Sequence, residues 1–372
     1  MLRLGLFFIA ITIFSLLTIS IGAAKALLVK AFISGPGSTI DDQAQKWHQN
    51  YKDNGDYNES WFFIVHTNDG GLLIATVYIT NLGLNTFDAG YDIAYYDSKG
   101  KFAKCHQEYS CKHIRTAKTG FDIQIGRSHI YKQNGNYHLW VDEAELGLDL
   151  ILTPELPAHQ FGNGQIKLPD KKFFALGLNT PRARAAGSLH AQNITANLAG
   201  LAQHDHSWGT EKLPTLLKRW QTLRIFSPEL TLILYDQKLS DEYNNMRVQT
   251  GLFVVHHGNN KKYDLVSLNS FQYLPQKMRR EPNSDYEYPT TITISAAGGN
   301  YKIQGTIKQS RFLDAVDVLS EISWPVRTAI RIFYAKPYCL RYFGDYQLDI
   351  IKENKTTKHI SGTAILEANI YN

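Results

Sequence analysis

The feature that most constrains this chain is a rhythm. From Trp61 onward, short apolar or alternating segments are interrupted about every ten residues by turn residues. That spacing belongs to the strands of a β-sandwich or barrel, whereas amphipathic helices repeat their apolar positions at three and four. Trp61–Thr67 closes on Asn68-Asp69-Gly70-Gly71, a hairpin signal. Leu72–Asn81, Phe87–Tyr96, Phe121–Ile125, Tyr137–Asp142 and Leu148–Leu152 follow, the last stopped by Thr153-Pro154. The texture resumes with Trp220–Phe226, Leu230–Gln237, Met246–His256, Tyr263–Tyr273, Thr290–Ser295, Tyr301–Gln309 and Thr363–Tyr371. An aromatic content of 12% supports strands, because flat rings pack well on pleated surfaces. Helical patterning is confined to Thr39–Tyr51 and to Phe312–Phe333, which Pro325 interrupts. At 372 residues the chain exceeds one ordinary core. The expected fold is all-β, with one barrel or sandwich domain over 55–205 and a second over 206–372. No repeat of fixed period appears, which disfavours a solenoid or propeller.

Ahead of these domains, Arg3 precedes an uncharged apolar run from Leu4 to Ala24, and Ala24-Lys25-Ala26 has the small-x-small form of a signal-peptidase site. Residues 1–26 therefore read as a signal peptide or a membrane anchor, with 27–54 as a polar linker. The expectation is an exported, periplasmic or otherwise extracytoplasmic protein, possible anchoring resting on residues 4–24. The net charge of +5 is scattered and forms no basic stripe, so nucleic acid is not an expected partner, although weak attraction to anionic lipid headgroups is. Cys105 and Cys111 are close enough in sequence for a small loop disulfide in an oxidising compartment; two free thiols are the alternative.

The densest chemical constellation is His204-Asp205-His206-Ser207-Trp208-Gly209. In an extended segment, alternation places His204, His206 and Trp208 on one face and Asp205 and Ser207 on the other. Two histidines alone do not complete a zinc site, and no other His or Cys pair has the right spacing, so neither metal nor cofactor is expected. A structural reading stands beside the functional one: a Trp closing a barrel end while the polar side chains tie down a turn. The second candidate is the apolar strand Leu230–Gln237, which ends in Tyr235-Asp236. An acid there is a candidate for a raised pKa, since desolvation disfavours the carboxylate, but Asp236 also suits the start of a turn.

These residues carry a family resemblance. Glu59-Ser60-Trp61-Phe62-Phe63, Ala185-Ala186-Gly187-Ser188-Leu189, the Asp205-His206-Ser207-Trp208-Gly209 box, Tyr288-Pro289, Gly362 and Glu367 resemble the carotenoid hydratase (hydroxyneurosporene synthase) and AttH-like superfamily. The stretch Trp61 to Lys101 also resembles survival-factor proteins. The resemblance implies two lipocalin-like domains packed together, in a group that includes carotenoid hydratases and lipid-handling proteins. It maps His206, Trp208, Tyr235 and Asp236 onto an acid-catalytic set, to which Asp205 is added as a further candidate acid; the expected ligand-binding residues are Trp61, Phe63, His204, Trp208, Trp220 and Tyr235. Two departures weaken the catalytic part. Tyr235 and Asp236 are adjacent and so point to opposite faces of a strand, and Tyr342-Phe343-Gly344-Asp345 stands where the family has Trp-Glu-Gly.

Three functions are consistent with this reading. The leading one is carriage of a lipid or isoprenoid in a lipocalin-like cavity at the envelope. The second is an enzyme of hydratase or cyclase type that protonates a C=C bond of an isoprenoid. The third is a scaffold that binds another envelope protein.

Overall fold

The computed structural model describes residues 29–31, 37–42, 44–81, 88–191, 193–258, 262–268, 270–318, 320 and 336–371. The apolar run 4–24, on which the expectation of export rests, lies outside these residues. Among the described residues no helix is long and apolar enough to cross a membrane.

The architecture is all-β. The first sheet contains β1 (Lys30–Ala31), β2 (Asn58–Thr67), β3 (Leu72–Thr80), β4 (Asp88–Tyr96), β5 (Phe102–Ser110), β6 (Ile114–Thr116), β7 (Asp122–Ile125), β8 (Ser128–Gln133), β9 (Asn136–Asp142), β10 (Gly147–Pro154), β11 (His159–Lys167), β12 (Phe173–Ala191), β13 (Ile194–Asn197) and β14 (Gly200–Gly209). Its main path runs β5-β4-β3-β2-β14-β12-β10-β9-β8-β7-β6, and it curls into a nearly closed barrel. The second sheet contains β15 (Leu217–Phe226), β16 (Leu230–Leu239), β17 (Arg247–His257), β18 (Lys262–Leu268), β19 (Phe271–Arg280), β20 (Glu287–Gly298), β21 (Tyr301–Asp317), β22 (Tyr338–Lys352) and β23 (Lys355–Ile370), in the order β18-β17-β16-β15-β23-β22-β21-β20-β19. The pairings are antiparallel, both between hairpin neighbours such as β22 and β23 and between the distant strands β2 and β14 and β15 and β23.

Several expectations need correction. The boundary falls in 210–216, not between Asp205 and His206, because β14 runs unbroken beside β2 and β12 through Gly209. The 27–54 segment is partly built into the first domain: Lys30 and Ala31 pair with Lys167 and Ile166, and Ser38 bridges to Gln160. Of the helix expected over Thr39–Tyr51, the described residues show one 3-10 turn, at Gln49–Tyr51. Phe312–Asp317 continues β21, and 321–335 lies outside the described residues. The span Tyr263–Tyr273 is two strands, β18 and β19.

The proposed Cys105–Cys111 disulfide is also absent, for both are free thiols. Cys105 is buried in β5, while Cys111 is exposed just beyond the strand's end. Five extended steps of ~3.3 Å separate Cys105 from the strand's last residue, well beyond the roughly 7 Å that a disulfide can bridge.

Each sheet encloses its own core. Trp61, Phe63, Tyr91, Phe121 and Tyr137 pack inside the first, and Leu223, Leu232, Phe253, Tyr342 and Ile350 inside the second. Two further clusters join the sheets. One sets Phe161, Phe174 and Leu176 against Leu217, Ile233 and Tyr235, and the other sets Ile64, Ile74 and Tyr96 against Phe226, Phe343 and Ile365. The outward faces of β2 and β14 and of the first half of β12 are therefore covered too: no residue of β2 or β14 is exposed, and β12 is buried continuously from Phe173 to Ala183.

Candidate functional site

Between the joining clusters lies a cavity of about 390 Å³, within the range of small-molecule sites. The first sheet supplies Ser60 and Phe62 from β2, Ile74 from β3, Ala94 from β4 and Asp205 and Ser207 from β14. The second supplies Trp220, Thr222 and Arg224 from β15, Tyr235 from β16 and Glu367 from β23. Ser60 and Phe62, Asp205 and Ser207, and Trp220, Thr222 and Arg224 keep the period of two that one face of a strand imposes.

The cavity has an apolar part and a polar floor, and its lining also includes Asp92, Lys104, His106, Glu108 and Asp317. Phe62, Ile74, Ala94 and Trp220 make the apolar part. The floor centres on Arg224, whose Nε donates to Gln203 Oε1 at 2.9 Å and whose guanidinium also donates to Glu367. Asp205 Oδ2 lies 3.8 Å from Arg224, and accepts hydrogen bonds from Gln203 Nε2 at 2.8 Å and Tyr235 O–H at 3.0 Å. Burial pushes the Asp205 carboxyl up to about 6, against the opposing pull of Arg224 and Tyr235. A second arginine, Arg341, lies 3.6 Å from Glu367 and 3.7 Å from Asp314. The floor can thus hold a polar head and offers a carboxyl able to exchange a proton near neutral pH.

The box divides between two places. As alternation requires, Asp205 and Ser207 face the cavity, while His204, His206 and Trp208 face the first barrel. His204 stacks on Phe63 with centroids 4.0 Å apart, and its Nδ1 lies 3.0 Å from the Phe62 carbonyl oxygen. Burial pulls its pKa down to about 3. His206 stacks on Trp61 at 4.9 Å and on Trp208 at 4.8 Å. Its Nε2 lies 2.6 Å from Glu59 Oε1, which His48 Nδ1 also approaches at 2.9 Å. Burial pushes the Glu59 carboxyl up, but the hydrogen bonds from His206 and His48 outweigh it and hold the group below its usual range.

Of the expected catalytic set, the fold brings together Asp205 and Tyr235. His206 and Trp208 are separated from them by the thickness of the sheet. Asp236 points away, where Arg247 clasps it through two hydrogen bonds of 2.6 and 2.7 Å. Of the expected ligand wall, Trp220 and Tyr235 line the cavity, whereas Trp61, Phe63 and His204 belong to the packed interior of the first barrel. Sequence reasoning passed over Arg224, Gln203, Arg341 and the pairing role of Glu367. A signal was present: Arg224 sits between Leu223 and Ile225, and Glu367 between Leu366 and Ala368. A charge inside an apolar strand needs a buried partner.

A family model described as the Svf1 family matches residues 36–370. No curated relative matches the chain. Among solved structures, a putative AttH (NE1406) from Nitrosomonas europaea superposes with a TM-score of 0.58 at 15% identity, covering 91% of this chain and 99% of that one. CghA with Sch210972 gives 0.63 at 9% identity, covering 92% and 98%. Kievitone hydratase from Nectria haematococca gives 0.54 at 12% identity, covering 85% and 89%. At these identities the likeness concerns the fold, and it agrees with the lipocalin-like architecture.

Proposed function

The chain belongs to the Svf1 family, and from that premise we propose that it binds an amphipathic molecule of lipid or isoprenoid type in the cavity between its sheets. The observation that carries this reading is the two-part lining. Phe62, Ile74 and Trp220 suit an apolar body, while the Arg224–Asp205–Tyr235–Glu367 floor suits a polar head. Burial of such a body contributes about 25 cal/mol per Å² of apolar surface removed from water. CghA, solved with Sch210972, gives precedent for a small molecule on this architecture. Delivery to a membrane or envelope belongs to the same proposal and rests on Arg3 and the apolar run 4–24.

The test is native mass spectrometry of the full-length chain recovered separately from membrane and soluble fractions, with extraction of what co-purifies. We expect a hydrophobic ligand on the wild-type chain, chiefly in the membrane fraction. Ser207→Phe, which projects a ring from a half-buried position into the cavity, should abolish retention. A folded Ser207→Phe protein that holds as much ligand as wild type would exclude this cavity.

A second reading is favoured by the raised Asp205 carboxyl beside Tyr235. In acid-catalysed hydration, Asp205 would give its proton to one alkene carbon, water would add to the other, and the water's proton would return to the carboxylate. Kievitone hydratase shares the fold, by name an enzyme of that kind. Asp205→Asn separates the readings: it should spare retention in either case, and abolish turnover only if the carboxyl is the acid.

A further inference from the structure

On the far face of β14, independent of the cavity, three donors from separate parts of the chain converge. We propose that His48, Glu59 and His206 bind one zinc-class divalent cation across the end of the first barrel. Their ligand atoms all lie within 4.8 Å of one another. Two imidazoles and one carboxylate form a donor set that zinc takes with three protein ligands, leaving a fourth position for water.

The surroundings prepare each donor. Glu59 Oε2 accepts hydrogen bonds from the Tyr57 hydroxyl and, at 3.0 Å, from the His48 backbone N–H. Oε1 is thereby turned toward the two rings, 2.9 Å from His48 Nδ1 and 2.6 Å from His206 Nε2. The other nitrogen of His206, Nδ1, lies 3.2 Å from the Ala44 carbonyl oxygen, to which it donates. A neutral imidazole has one N–H. With that proton on Nδ1, the Nε2 lone pair points at Glu59 Oε1, and at 2.6 Å these two acceptors need a second proton or a metal ion between them; the proton makes the hydrogen bond of the metal-free site, and the ion would replace it. A ring nitrogen donating to a backbone carbonyl while its partner faces the ion is the usual second contact of a metal-binding histidine.

Ring planes are held by stacking. His48 lies 4.2 Å from Trp208 and His206 lies 4.9 Å from Trp61, at interplanar angles of 12° and 10°. A four-coordinate ion with ~2.0–2.1 Å bonds spaces its donors roughly 3.3 Å apart, so the cluster must open by a fraction of an ångström. His48 can supply that movement and the route of entry, since it precedes the first 3-10 turn and its side chain is 18% exposed, against 0% for Glu59 and 1% for His206. The cation would fasten the segment before β2 onto the barrel.

The experiment uses the full chain, freed of metal with a chelator and titrated with zinc chloride by calorimetry, with thermal unfolding followed in parallel. We expect one zinc per chain and a melting temperature that rises with zinc concentration. His48→Ala lies outside the strands and should fold, with affinity reduced roughly tenfold or more. Glu59→Gln should lose as much. Zinc taken up equally by His48→Ala would assign it to other histidines and overturn the proposal. A folded, stripped wild-type chain that takes up none would leave a proton-bridged His206–Glu59 pair in its place.

Discussion

His204 and Asp205 are adjacent in sequence, buried in the same strand, and live in different parts of the molecule. His204 is clamped in the aromatic interior of the first barrel by Phe63, Phe121 and Tyr137. Asp205 looks the other way, into a cavity floored by Arg224 and Glu367. Desolvation acts on both and favours the neutral form of each, so it lowers the histidine and raises the acid. The comparison teaches that a compact motif need not be one site. One face of the strand is stacked and packed, while the other borders open volume with charges held ready.

The largest expected effect comes from breaking the cavity floor. Arg224→Met would leave the buried Asp205 carboxyl without its cation and Glu367 with Arg341 alone. We expect a loss of about 3–5 kcal/mol in urea unfolding, the range for removing one member of a buried ion pair. A loss below about 1 kcal/mol would show that water already screens the floor.

The two faces should next differ in their response to pH. The folded pKa of His204, about 3, lies below its unfolded value, so its contribution is lost as pH falls from about 6.5 toward 3. The folded pKa of Asp205, about 6, lies above its unfolded value, so below about 4 it carries no penalty and stability is lost as pH rises from about 4 to 6. Relative to Asp205→Asn, the wild type should lose on the order of 3 kcal/mol across that interval. Relative to His204→Gln, it should gain over the same interval. Urea midpoints measured at steps of pH would give these difference curves, and slopes of the same sign would dissolve the contrast.

Trp208→Ala tests the packed face more gently. The ring is half-buried on His48 and His206, so about 1–2 kcal/mol should be lost in thermal unfolding while cavity retention stays unchanged. Lost retention in a folded protein would connect the two faces. Smallest of all, Asp236→Asn weakens a pair with the half-exposed Arg247, and should cost less than about 1 kcal/mol with no change in ligand content.

Much of the strand framework was legible because side chains in strands alternate and turns announce themselves. Among the strands that escaped notice, β5, β8, β11 and β22 carry polar residues on exposed or interior-polar faces, β12 is interrupted by Asn179, Pro181, Arg182 and Arg184, and β1, β6 and β13 are only two to four residues long. Arg182 is tolerated in burial because Glu155, the Ser227 carbonyl and Thr231 Oγ1 satisfy it, and no local pattern reveals those partners.

The sequence by itself determined that the chain would be β-rich, that it would need more than one core, and that His204, His206 and Trp208 would face opposite to Asp205 and Ser207. These follow from composition and from a period of two, which are local properties. Only the tertiary structure decided which face meets a cavity, that Arg224 would reach Glu367 across 143 positions, and that His48, from a segment read as linker, would join Glu59 and His206. Those choices depend on how two sheets pack and on where a loop is laid across a barrel. Their energy lies in desolvation and pairing between distant residues, which alternation along one strand does not encode.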